Sequence, residues 1–138
     1  MWLHGPDGLG VTLKVVERLS DSHVQSGDFA LDISVYGHDF TFTARHLWVE
    51  HDQFAAFVAE FNELARTRTG QAALNFMSPH VLEVLAINGT SNLVVRGRIE
   101  NGIYAGGTRL PIALDFNSLL DSEQVELARA DLNALLRN

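Results

Sequence analysis

Residues 52–66, DQFAAFVAEFNELAR, decide the fold. Phe54, Phe57, Val58, Phe61, Leu64 and Ala65 recur at the 3.6-residue period of a helix, opposite Glu60 and Glu63. Burying each phenylalanine is worth on the order of 1.5–3 kcal/mol, against a few tenths for helix propensity or a surface ion pair. Such a helix needs an apolar surface to lie on, and Gly70 supplies a stop soon after it.

The flanking segments change period from 3.6 to two. Upstream, Val11, Leu13 and Val15 alternate with polar residues until Val16 breaks the phase, a break that a bulge explains. Leu31, Ile33 and Val35 form a second alternating run. Tyr36-Gly37-His38-Asp39 then turns the chain into Phe40 and Phe42, a hairpin strand continuing toward Trp48. Downstream, Leu74 and Phe76 open a strand ended by Ser78-Pro79, and 81–87 is followed by the turn dipeptide Asn88-Gly89. Leu93, Val95 and Ile99 carry the next strand, where Gly97 marks a bend or a close backbone approach. Asn101-Gly102 reads as a further turn, and Leu110, Ile112, Leu114 and Phe116 alternate to the end, with Pro111 implying that the strand lies at an edge or begins near it. A second helix begins at Asp121, its carboxylate capping and Gln124 reaching back, and presents Val125, Ala128, Leu132, Leu135 and Leu136.

Two apolar helix stripes and several half-apolar strands conceal one another most simply in an α+β domain. The expectation is a curved, mostly antiparallel sheet of about 6–8 strands with two amphipathic helices, in the order βββ-α-ββββ-α. Residues 1–138 read as one domain in which 1–10, carrying Gly5, Pro6, Gly8 and Gly10, is a turn-rich lead-in.

Seventeen acidic residues against ten basic ones give a formal charge of −7, with the acids scattered instead of clustered. That balance disfavours nucleic acid as a partner and attracts a basic one, although solubility alone explains it equally well. The absence of cysteine excludes disulfides and thiolate chemistry and suits a reducing, cytoplasmic setting. The N-terminus has no export signal, and no apolar stretch approaches the roughly 20 residues that cross a bilayer, so neither secretion nor a membrane is expected.

The densest polar stretch is RHLWVEHD (45–52), but His46 and His51 match no metal-binding spacing, and Glu50 and Asp52 suit a helix start. His4, His23, His38 and His80 fall in separate turns and read as solvated. Neither G-x-S-x-G nor S-x-x-K occurs, and Gly8-Leu9-Gly10 and Gly106-Gly107 lack the rest of a phosphate loop. No catalytic, cofactor-binding or metal-binding residue is expected. Candidate partner contacts are Arg96 and Arg98, which share a strand face, Arg45 near them, and the amphipathic rings of Tyr36, Trp48 and Tyr104. Each also fits a bland role, as solubilising charge or core edge.

The succession FAAFVAEFNELARTRTGQAALNF (54–76), VLEVLAINGTSNLVVRGRIENG (81–102), LPIALDF (110–116) and a closing helix resembles the WapI-type group of small bacterial immunity proteins. The likeness covers about Val11 to Leu136 and rests on apolar positions, Gly70, Gly97 and the spacing of the helices. It implies a non-enzymatic protein that binds and occludes a cognate toxin, with no cofactor and no catalytic residues. The alternatives are a small-ligand or enzymatic domain using the concave sheet face, and a homo-oligomeric module, a dimer included, joined through a sheet edge or outer strand face.

Overall fold

Helix α1 (His51–Thr67) is held by its apolar stripe: Phe54, Phe57 and Phe61 are fully buried, and successive ring centroids stand 6.3 and 6.2 Å apart. A computed structural model of the chain describes residues 2–4, 9–19, 27–77, 80–87 and 89–137, with the backbone alone at 2–4, 103 and 104. The expected loop at 20–26, the Ser78-Pro79 stop, His23 and Asn88 lie outside the described residues, as do the side chains of His4 and Tyr104.

The architecture is α+β with two helices and antiparallel strands, as the alternating segments require. The strands divide into two four-stranded sheets, one on each side of α1 in sequence. The first runs β1 (Trp2–His4), β2 (Gly10–Arg18), β3 (Phe29–Tyr36) and β4 (Thr41–Val49) in sequence order. β1 lies inside the stretch read as a turn-rich lead-in and pairs with the start of β2. The second sheet follows α1 as β5 (Gln71–Asn75), β6 (Val81–Ala86), β7 (Leu93–Ala105) and β8 (Thr108–Leu120), and α2 (Ser122–Arg137) closes the chain. The sheets meet where the Met77 amide donates to the Trp48 carbonyl at 3.0 Å. One cluster of buried residues draws on both sheets and both helices, including Leu31, Ile33, Phe57, Leu74, Val84 and Leu132.

The caps of α1 use groups that its own stripe does not mark, and one expected turn is absent. Arg68, not a glycine, takes the left-handed cap of α1 (φ 57°), and its amide donates to the Leu64 carbonyl. Glu50 is the N-cap without a side-chain bond; Asp28, buried beneath the helix start, accepts the His51 amide at 2.9 Å instead. Asn101-Gly102 is no turn: both residues sit inside β7, and the chain reverses at Gly106-Gly107, whose φ of 57° and 79° suit the mirror-image turn that a two-residue hairpin needs. The β7–β8 hairpin therefore extends beyond β6, whose pairing ends at Val81↔Arg98. Gly97 is a close approach: the Phe116 ring and the Val81 carbonyl occupy the space a Cβ would take.

Candidate functional site

The outer face of the first sheet is organised by two bulges. Ala44, Leu47 and Val49 all face the core, which a strict alternation cannot achieve, so one extra residue is accommodated. Leu31 pairs with Leu47 and Ile33 with Ala44, leaving Asp32 opposite both Arg45 and His46. His46 adopts a left-handed backbone (φ 59°), which costs a side chain of this kind about 1–2 kcal/mol. Its amide, released from the ladder, donates to Asp32 Oδ1 at 2.9 Å. A second register shift, between Val15 and Glu17, is the bulge expected at Val16. Glu17 meets His46 Nε2 at 2.9 Å, and Trp48 sits edge-on to the imidazole at 5.4 Å.

Arg45 is exposed beside this pair and has no ion pair among the described residues. Tyr36 lies at the far end of β3, its ring across Gly10 and its hydroxyl accepting from Thr12 Oγ1 at 3.3 Å. His51 serves the helix start and stands 3.6 Å from Asp52. Glu50 lines a shallow cleft with Gln53, Asn75, Phe76 and Met77, to which His46 does not contribute. Among the described residues no three histidine, aspartate or glutamate side chains converge as a metal site would require.

Arg96 and Arg98 lie on the outer face of the second sheet, as their spacing dictates. Cross-strand carboxylates engage both, Arg96 meeting Glu83 at 2.7 Å and Arg98 meeting Asp115 at 2.7 Å, and Glu100 of the same strand stands 3.7 Å from Arg98. The structure thus separates the predicted contacts between two sheets and neutralises this arginine pair within the chain. Tyr104 pairs in register with Arg109 next to the hairpin turn. His80 is a correction. It is buried instead of solvated, and its Nδ1 accepts the Glu100 amide at 3.1 Å just where β6 has ended. Burial lowers its pKa below the ordinary value, while Glu100 raises it and Arg109 lowers it to smaller extents.

The helices contribute a surface that the individual residue types did not single out. A cleft between them is lined by Ala59, Asn62, Glu63, Arg66, Glu126 and Arg129. Asn62 and Asn133 exchange side-chain amide bonds at 3.1 and 2.9 Å across the interhelical seam. Arg66 bonds Glu63 and holds it below the usual carboxylate range, and Arg129 meets Glu126 at 3.0 Å. Around these pairs Asp52, Glu60, Glu123 and Asp131 leave the helix surfaces acidic. The signal in the sequence was the polar side of each helical stripe, which carries more carboxylates than arginines.

No helix among the described residues is long and apolar enough to cross a membrane. No family model and no curated protein matches the chain. Among solved structures, a chain of the CdiA-CT/CdiI toxin and immunity complex from Enterobacter cloacae aligns with a TM-score of 0.43 and 14% identity, over 91% of this chain and 99% of that one, a likeness too loose to bear on function.

Proposed function

We propose that the chain is an intracellular, non-enzymatic binding protein that occludes a basic protein partner, in the manner of an immunity protein against a toxin. The carrying observation is the helix layer, whose exposed carboxylates exceed its arginines, while the arginine pair of the second sheet is already matched by Glu83 and Asp115. Such a surface steers a cationic partner and speeds its association. Asp131 and Glu123 are exposed and have no ion pair among the described residues, so their charge is free to act on a partner. Arg45 and Trp48, beside the His46 bulge, offer additional contacts.

The reading is tested by capturing the partner from native cells with the tagged chain and measuring association between the purified proteins. Converting Glu60, Glu123 and Asp131 to their amides should slow association about tenfold at low salt and much less at high salt, whereas Arg96→Gln should change little. Repeated recovery of only the chain itself, or rates indifferent to these carboxylates, refutes the reading.

A further inference from the structure

We propose that two copies of this chain pair through the β8 edges, in an antiparallel register centred on Phe116, to form a continuous sheet across a two-fold axis. The inference does not rest on the toxin reading. It starts from hairpin geometry. A two-residue turn at Gly106-Gly107 makes Ala105 and Thr108 a hydrogen-bonded pair, so the even-numbered residues of β8 bond β7 and the odd-numbered ones point their backbone groups away.

Three other edges are occupied in part. On β7, beyond the end of β6, the outward amide of Glu100 is taken by His80 and that of Gly102 by the Asn101 side chain. On β5, Glu60 takes the Ala73 amide, while the Trp48 carbonyl of β4 receives Met77. β8 lies against β1 and α2 yet, among the described residues, pairs as a strand with β7 alone. Among the described residues, the outward amides of Ala113, Asp115, Asn117 and Leu119 have no hydrogen-bond partner. An open row of this length is a template for another strand.

The row selects its occupant. Pro111, lacking an amide at an outward position, ends it on one side, and the Asp121 cap of α2 ends it on the other. Its centre is therefore Phe116, and pairing with a second copy sets Ala113 opposite Leu119 and Asp115 opposite Asn117. No like charges meet, because Asp115 is the one charged residue of the row and already pairs with Arg98. Leu110 and Ile112, 45% and 44% exposed, then lie beside the start of the second copy's α2, which covers them.

The full chain is cysteine-free, which permits an unambiguous test. Ala113 and Leu119 are roughly 20 Å apart along one strand, too far for a bridge within a chain. Ala113→Cys combined with Leu119→Cys should yield disulfide-linked dimers on mild oxidation, whereas the register-mismatched pair Ala113→Cys with Asp115→Cys should give few. Sedimentation equilibrium from micromolar to submillimolar concentration should show a monomer–dimer equilibrium. Ala113→Pro, which removes an outward amide and leaves the bonds to β7, should weaken it at least about tenfold, since each copy loses one interchain bond. A chain monomeric throughout, or a dimer that cross-links equally in both cysteine pairs, overturns the proposal; if the proline variant misfolds, the cysteine pairs decide.

Discussion

Replacing Gly97 by alanine isolates the contact that lets β6, β7 and β8 close on one another. An added Cβ would stand 2.6 Å from the Val81 carbonyl oxygen and 2.8 Å from the tip of the Phe116 ring, both far inside contact distance. The ring tip can swing away. The carbonyl cannot, because Val81 is the last residue of β6 paired to β7 and moving it breaks the end of that ladder. Overpacking of this kind costs about 1–3 kcal/mol, and the backbone component places Gly97→Ala near 2 kcal/mol. With a denaturant slope near 2 kcal/mol per molar in urea, the unfolding midpoint should fall by about 1 M. Phe116→Leu distinguishes the two contacts. If the carbonyl dominates, the double variant loses the sum of the single losses to within about 0.5 kcal/mol. A midpoint unchanged by Gly97→Ala, or a Phe116→Leu background that absorbs the whole loss, refutes the reasoning.

Asp28→Ala should cost about 1–2 kcal/mol in urea unfolding by leaving the His51 amide uncapped, and Asp28→Asn should recover most of it because an amide oxygen still accepts. Asp32→Ala should cost about 1 kcal/mol through loss of the bond to the His46 amide, while His46→Gly relieves the left-handed backbone and should lie within about 1 kcal/mol of the parent by the same measurement. Burial lowers the His80 pKa below 6.5, so the unfolded chain takes up that proton first as pH falls. Stability should therefore decline from about pH 6.5 downward and level off once the folded imidazole also protonates; His80→Asn, which keeps an acceptor for Glu100 and does not titrate, should flatten the urea midpoint between about pH 7 and pH 5 relative to the parent. An equal slope in parent and variant would assign the pH dependence to other groups.

The helices were legible because their energetics are local to one stripe: α1 and α2 bury the residues that the 3.6 period marks. The bulge at Val16 was legible for the same reason, as a lost phase. The bulge at His46 carried an equivalent signal in the spacing of Ala44, Leu47 and Val49, obscured by the alternation of Phe40 and Phe42 just before it. The caps were not legible. Asp28 reaches the start of α1 from the end of another strand, and nothing near Glu50 in sequence announces a remote carboxylate. His80 was misjudged because a residue between a proline and a strand looks solvated until Glu100, twenty positions away, presents an amide that β6 is too short to bind.

The place of Arg98 depended on a single turn. With the reversal at Asn101-Gly102, a two-residue loop would put Arg98 opposite Ala105 and leave its guanidinium free for a partner. With the reversal at Gly106-Gly107, the register places Arg98 opposite Asp115, and the ion pair follows. Both dipeptides are competent turn formers, and local propensity does not choose between them. Tertiary contact does: Asn101 spends its side chain on the Gly102 amide and the Thr43 carbonyl, holding that stretch straight against the first sheet. Adjacent glycines free to take positive φ then reverse the chain four residues later. The same choice of turn that pairs Arg98 with Asp115 lengthens β8 and turns its odd-numbered amides outward, so the loss of Arg98 as a free contact and the appearance of the open edge have a common cause.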